Sequence, residues 1–322
     1  MTTLTRKCFK VPGKVVINGG YLVCFEEEGA CLTVDSYLNV NYSHDYSDKF
    51  TFNLEMDGNN INLSFESDLY KSNVSKDNYL VKIVKEFYKF TSITPKGAYK
   101  VNLLWDDGFF YKNVKLGLGS SACLVVGIVK ILFDSNKVTN YSFLDLVKSI
   151  NQYFSPFSSG IDVTSCYKGN IFYSKKGDSK LRCNKTIMLL GTMLKSTDTK
   201  ENLKFINQKE KFNSLKEINS KIIKLIKVGA MGTPELKMLY KEYLCELKKI
   251  SQEIVPLYQY SVLMNTFDMD IIGCGVSGSG GEDAVWCLVT EREVYNVLAL
   301  WNNKFSYVKK VTVPEKSGLI EL

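Results

Sequence analysis

The chain has 322 residues, too many for one average core and suited to two domains of about 100–200 residues each. Hydrophobic residues make up 45% and charged residues 23%, which describes a globular chain and excludes a disordered or collagen-like one. Forty-one Lys and Arg against 34 Asp and Glu leave a net charge of +7, which suits an anionic ligand. The lysines are spread along helices and not gathered into an arm, so nucleic acid is not expected as a partner.

The longest apolar stretch near a helix, Ala122 to Phe133, is broken by Lys130 and falls short of the roughly 20 residues of a membrane span. No secretory leader is readable behind Arg6-Lys7-Cys8, so a cytoplasmic location without a membrane partner is expected. The nine cysteines (8, 24, 31, 123, 166, 183, 245, 274 and 287) are odd in number and hold no C-x-x-C pair, which predicts reduced, mostly buried thiols. The single histidine, His44, sits in the polar stretch 41–48, so neither a His-based triad nor a multi-histidine metal site is expected.

In chain order, the first hundred residues are β-rich. Short runs of β-branched and aromatic residues predict strands at Lys14–Ile17, Tyr21–Phe25, Tyr37–Ser43, Phe50–Met56 and Ile61–Phe65. Leu80, Ile83, Val84 and Phe87 at helical spacing predict a helix from about Ser75 to Phe90. A strand follows at Tyr99–Trp105, then a helix over Cys123–Phe133. Another helix begins near Ser142, a suitable N-cap with Asp145 three residues on. The polar, turn-rich stretch Ser174–Lys180 reads as an inter-domain link, dividing the chain into 1–180 and 181–322. The second half opens with a strand at Thr186–Gly191. Its clearest helix starts at Thr233-Pro234, an N-cap followed by proline in the first turn. Strands at Ile271–Cys274, Ala284–Val289 and Tyr307–Val313 complete two α+β domains.

Two glycine-rich segments suggest a ligand. Lys115-Leu-Gly-Leu-Gly-Ser-Ser-Ala122 stands just before an apolar helix, where free N–H groups and the helix dipole favour phosphate. The hydroxyls of Ser120 and Ser121 can bond phosphate oxygens or Mg2+, and Lys115 adds positive charge. The spacing is neither the P-loop nor the dinucleotide fingerprint, and an ordinary N-cap after a glycine turn explains the segment equally well. Gly273 to Asp283 precedes a strand and forms either a second backbone cradle or a loose surface loop. Asp162, after Pro156-Phe-Ser-Ser-Gly160, and Lys14, opening the first strand, are each weak signals alone. A lone Asp is commonly a cap, and a strand-edge lysine is commonly solvated.

Taken in order, these segments resemble the GHMP kinase superfamily, the group of galactokinase, homoserine kinase, mevalonate kinase and phosphomevalonate kinase. The matching regions are 11–23, 115–122 and 273–283, so the likeness spans most of the chain. Within the group, phosphomevalonate kinases are most similar. The likeness is carried by Pro12-Gly-Lys14 with Gly19-Gly-Tyr-Leu-Val23, and by Lys115-x-Gly-Leu-Gly-Ser-Ser121. Gly160-Ile-Asp-Val163 with Gly169-Asn-Ile-Phe-Tyr173, Lys195-Ser-Thr197 and Gly278-Ser-Gly-Gly-Glu-Asp283 extend it. Asn18 departs from the pattern, standing where a small residue is more usual, and Lys195-Ser-Thr-Asp198 lacks the Ser-Ser-Thr-Pro form.

The resemblance implies an N-terminal α+β domain with a left-handed crossover, a C-terminal ferredoxin-like domain, and a cleft between them. It implies ATP and Mg2+ as cofactors and phosphomevalonate as the acceptor, in an isoprenoid-pathway step. Lys14 and Asp162 would be catalytic. Lys115, Gly117, Leu118, Gly119, Ser120, Ser121 and Ala122 would hold ATP, with Ser120 or Ser121 on the metal. Asn18, Tyr21, Ser158, Ser159, Gly160, Lys195, Ser196, Thr197, Gly278, Ser279, Gly280, Gly281 and Asp283 would face the acceptor. Mevalonate kinase or another kinase of the group is the first alternative. A catalytically silent ligand sensor is the second, opposed by the presence of both Lys14 and Asp162. The protein is expected as a monomer or homodimer.

Overall fold

The computed structural model describes residues 6–45, 49–56, 58–66, 78–94, 98–194, 209–278, 280–281, 284–315 and 317–322. Strand β1 (Lys7–Asn18) pairs antiparallel with β2 (Gly29–Asp45), setting Lys14 opposite Thr33. Between them the sequence predicts a strand at Tyr21–Phe25, and the structure corrects this to a 3-10 turn, Leu22–Phe25. Gly19 at φ 81° and Glu26 at φ 75° bend the chain on either side, so an apolar run that looks extended folds back and buries Leu22, Val23 and Phe25.

Strands β3 (Lys49–Met56) and β4 (Asn59–Glu66) form a hairpin. Helix α1 (Tyr79–Thr91) is capped by Asn78, whose side chain accepts from the Leu80 N–H; residues 75–77 of the expected helix lie outside the described ones. Then come β5 (Ala98–Trp105) and a small hairpin of β6 (Phe110–Tyr111) and β7 (Val114–Lys115). Helix α2 (Ser120–Asn136) follows the glycine turn. Helix α3 (Phe143–Phe154) starts at its expected cap, Ser142, whose side chain accepts from the Asp145 N–H. Helix α4 (Ile161–Lys168) has no counterpart in the sequence expectations. The stretch Ser174–Lys180, expected as a link, is a hairpin instead, joining β8 (Ile171–Ser174) to β9 (Gly177–Lys180).

The later elements are β10 (Thr186–Thr192), α5 (Asn213–Lys227), α6 (Pro234–Ile250), α7 (Leu257–Thr266), β11 (Ile271–Val276), β12 (Val285–Val289), α8 (Val294–Asn302), β13 (Tyr307–Val313) and β14 (Ile320–Glu321). One sheet runs β14-β1-β2-β5-β3-β4, with β8 and β9 attached through β2. Its β3–β5 pairing is parallel and the others are antiparallel. The second sheet is antiparallel and runs β11-β12-β10-β13. Its first and third strands are central and helices lie between first and second and between third and fourth, which is the ferredoxin-like arrangement.

Helices α2 and α4 pack on β1 and β2, which places the start of each helix beside the first strand. One hydrophobic core runs through both sheets, anchored by Phe50, Phe52, Phe87, Phe109, Phe212, Trp286 and Trp301. Among the described residues no helix is long and apolar enough to cross a membrane, no group of three or more metal-ligating side chains gathers, and all nine cysteines are free.

Candidate active site

Lys14 lies in the middle of β1 and is 5% exposed. A lysine so buried must be paired or give up its charge. Its Nζ stands 2.8 Å from Asp162 Oδ1, a carboxylate on the first turn of α4 that remains 40% exposed. Burial alone would depress the lysine, but the Asp162 carboxylate outweighs it and holds the ammonium well above the usual range. Burial pushes the adjacent Cys31 thiol up to about 12 against the opposing pull of Lys14, so the ammonium has a neutral thiol beside it.

The Lys14 side chain reaches Asp162 by crossing a glycine. A Cβ on Gly119 would fall 2.4 Å from Lys14 Cε, and Gly119 sits at φ 73°. The Lys14 N–H also donates to the Leu118 carbonyl at 3.0 Å, fixing the glycine turn to β1. The turn then opens into α2. The first intrahelical bond runs from the Cys123 N–H to the Gly119 carbonyl, so the N–H groups of Ser120, Ser121 and Ala122 have no helical partner. The Leu118 and Ala122 side chains are buried, leaving backbone as the exposed part of the turn. Among the described residues neither the Ser120 nor the Ser121 hydroxyl is hydrogen bonded. Lys115 is exposed at the end of β7, two residues before the turn. This donor-rich turn fits a nucleotide polyphosphate. One hydroxyl beside it suits Mg2+, which takes one or two protein ligands and completes its shell with phosphate and water.

No protein-family model matches the chain, and no curated protein matches it. Solved structures do. Streptococcus pneumoniae phosphomevalonate kinase in complex with phosphomevalonate and AMPPNP matches with a TM-score of 0.76 at 13% identity, over 94% of this chain and 99% of that one. Lactococcus lactis galactokinase complexed with galactose matches with a TM-score of 0.76 at 14% identity, over 98% and 95%. Methanococcus jannaschii mevalonate kinase matches with a TM-score of 0.72 at 18% identity, over 97% and 99%. The chain has the GHMP kinase fold.

Within this GHMP kinase fold the three glycine-bearing segments touch pairwise. Lys14 lies on Gly119; a Cβ on Gly117 would meet Ala284 Cβ at 3.1 Å; a Cβ on Gly20 would fall 2.5 Å from the Gly278 carbonyl oxygen. Gly280 and Gly281 are held by α7's leading loop, the Gly281 N–H donating to the Ile254 carbonyl at 2.8 Å. Ser158 and Ser159 serve the start of α4. Ser158 Oγ accepts from Asn151 Nδ2 at 2.9 Å and from the Gly160 N–H, and Ser159 Oγ accepts from the Ile161 N–H. Tyr173 donates to the Ser159 carbonyl.

Asn18 is buried and donates to Asn219 Oδ1 at 2.7 Å, and the Tyr21 ring packs on Phe212 in the core. Lys195, Ser196, Thr197, Ser279 and Asp283 lie outside the described residues. Two polar residues that the sequence expectations lack stand here. Lys148 lays its stem against Gly160 with its Nζ 5.1 Å from the Tyr173 ring centre, and Asn219 joins Asn18 to the Glu28 carbonyl. A polar residue inside the Leu215–Ile218–Ile222 stripe of α5 was the readable sign of Asn219.

Proposed function

We propose that the chain is an ATP-dependent kinase that transfers the γ-phosphoryl group of ATP to phosphomevalonate, giving diphosphomevalonate and ADP. The observation that carries this reading is the buried Lys14 paired with the half-exposed Asp162 across Gly119, beside unpaired N–H groups at the start of α2. Phosphoryl transfer asks for cancelled charge and in-line positioning more than for covalent help. The N–H groups of 120–122 and Lys115 would hold the polyphosphate, with a Ser120 or Ser121 hydroxyl on Mg2+, which neutralises phosphate charge when bound. Lys14 would offset the repulsion between the two anions. Asp162 would keep Lys14 in place and orient the acceptor.

A phosphate acceptor suits this arrangement better than an alcohol. With a second pKa near 6 it is already mostly dianionic at neutral pH and needs no proton removed, whereas one Asp162 oxygen is committed to Lys14. The remaining donors for the acceptor's charged groups would be the Ser158 and Ser159 hydroxyls, joined by Lys148, and the segment Lys195–Thr197; the Gly160 N–H, also expected to face the acceptor, is already given to Ser158 Oγ. The acceptor and nucleotide would meet where residues 1–180 face residues 181–322; the sheet changes between β9, ending at Lys180, and β10, beginning at Thr186. Nine free thiols suit a reducing cytoplasm. The test is ADP release from purified protein with Mg-ATP and, separately, phosphomevalonate, mevalonate, galactose and homoserine. Turnover is expected with phosphomevalonate; turnover with one of the others alone, or with none, overturns the reading.

A further inference from the structure

At the end of β1 a chain of amide groups has a fixed direction. Asn219 Nδ2 donates to the Glu28 carbonyl at 2.8 Å, and Asn18 Nδ2 donates to Asn219 Oδ1 at 2.7 Å. A backbone carbonyl only accepts, so Asn219 must turn its amide nitrogen to Glu28 and its oxygen to Asn18. Asn18 must in turn offer its nitrogen, which leaves Asn18 Oδ1 as the free end of the chain. That oxygen is buried without a hydrogen-bond partner, on a residue only 2% exposed. A buried orphan acceptor is a costly feature that calls for a donor.

Asn18 borders a partly open cavity of about 20 Å³, lined by the backbone of Gly19, Gly20 and Gly278 and by Tyr21, Tyr243 and Leu247. Such a space holds one water-sized group. The walls carry no charge, so an ammonium would enter it uncompensated. A carboxylate or phosphate would bring acceptor oxygens against an acceptor. The group that fits is a neutral hydroxyl.

We infer that Asn18 is the specificity residue for a non-reacting hydroxyl on the acceptor, with Oδ1 accepting its hydrogen bond. The inference rests on the kinase reading above. Asn18 lies four residues beyond Lys14, roughly 13 Å along the strand, so it binds the carbon skeleton and does not touch the transferred phosphoryl group. Its unusual presence at a position where the resemblance predicts a small residue then becomes a means of choosing substrate.

Steady-state kinetics with phosphomevalonate and its 3-deoxy analogue test this in the unmodified protein and in Asn18→Leu. A site built to accept from a hydroxyl rejects the analogue lacking it. In the unmodified protein the deoxy compound is expected to lose about 10- to 100-fold in kcat/KM through its KM, the scale of one buried acceptor left unsatisfied, with the KM for ATP unchanged. In Asn18→Leu the two compounds are expected to become equivalent. Equal kcat/KM for both compounds in the unmodified protein overturns the role of Asn18 and leaves the kinase reading standing. Absence of turnover with phosphomevalonate overturns the kinase reading, and this inference with it. Discrimination that persists undiminished in folded Asn18→Leu likewise overturns the role of Asn18, and where that variant fails to fold the unmodified protein still exposes the inference to refutation.

Discussion

At Lys14 two opposing effects meet. Desolvation disfavours its charge, and the Asp162 carboxylate 2.8 Å away favours it more, so the ammonium survives burial. If that ammonium offsets anion repulsion, Lys14→Ala and Asp162→Asn are each expected to lower kcat at least ~100-fold in folded protein. Near-normal turnover by both variants removes the assignment. The raised pKa also fixes the sign of a stability effect. The folded state keeps its proton above the ordinary value of 10.5 while the unfolded chain loses it, so stability falls as pH rises past that point. Below it the contribution is complete. Urea titrations of the protein and of Lys14→Met are therefore expected to differ by a constant amount from pH 6 to 9 and to converge above about 10.5; convergence on acidification instead would contradict the raised value. Lys14 and Asp162 were brought together in the sequence only by the family resemblance; the residues alone could not pair them, because 148 positions separate them and neither carries a local pattern. Asn170 was unreadable for the same reason, its partners lying far along the chain, and Asn219 showed only as a polar break in the apolar stripe of α5, with nothing local to name its partners.

The glycine turn before α2 works as an element, not as one residue. Gly119 is required twice, by its φ of 73° and by the Lys14 stem that occupies the place of a Cβ. Gly229, after α5, has a similar φ of 79° but nothing within 4 Å of its Cβ position. Gly229→Ala is therefore expected to cost only backbone strain, about 1–2 kcal/mol, with activity intact. Gly119→Ala adds a steric clash that must move Lys14, and is expected to lose kcat as well as stability. Denaturation midpoints and kcat for the two variants separate strain from displacement; equal effects on both quantities would show that the lysine stem moves aside freely. The start of α2 was legible because a glycine turn leading into a long apolar helix has a strong signature. Helix α4 was not: its eight residues, Ile161–Lys168, mix Asp, Thr, Ser and Cys and begin at a glycine, a pattern that reads as loop. The 3-10 turn at Leu22–Phe25 escaped because local composition favours a strand and only the flanking positive φ angles decide otherwise.

Across the whole molecule the weak point is the middle of β2. Its pairing with β8 covers Gly29–Cys31 and its pairing with β5 begins at Leu38, which leaves residues 32–37 without a neighbour on that side. Side chains supply what the ladder lacks. Asn170 Oδ1 accepts from the Thr33 N–H at 2.8 Å and from the Thr33 hydroxyl at 3.0 Å, and Asp106 Oδ2 accepts from the Tyr37 N–H at 2.8 Å. Asp35 reaches across instead and accepts from the Thr312 N–H of β13 at 2.6 Å, tying the second sheet to the first. Asn170 does more than fill a gap. Its Nδ2 donates to the Pro314 carbonyl and its N–H donates to Ser317 Oγ, so it also holds the segment that leads to β14 on the outer edge of β1. Thr33, which Asn170 satisfies, is the cross-strand partner of Lys14. Asn170→Ala would strand a fully buried N–H and hydroxyl, and is expected to cost about 2–4 kcal/mol. Glu28→Ala removes an exposed ion pair to Lys227 at 2.7 Å, and is expected to cost under about 1 kcal/mol. Chemical denaturation of the two variants measures the difference directly. An Asn170→Ala cost no larger than that of Glu28→Ala would mean that water replaces the lost partners, and that β2 does not need Asn170 to hold its gap closed.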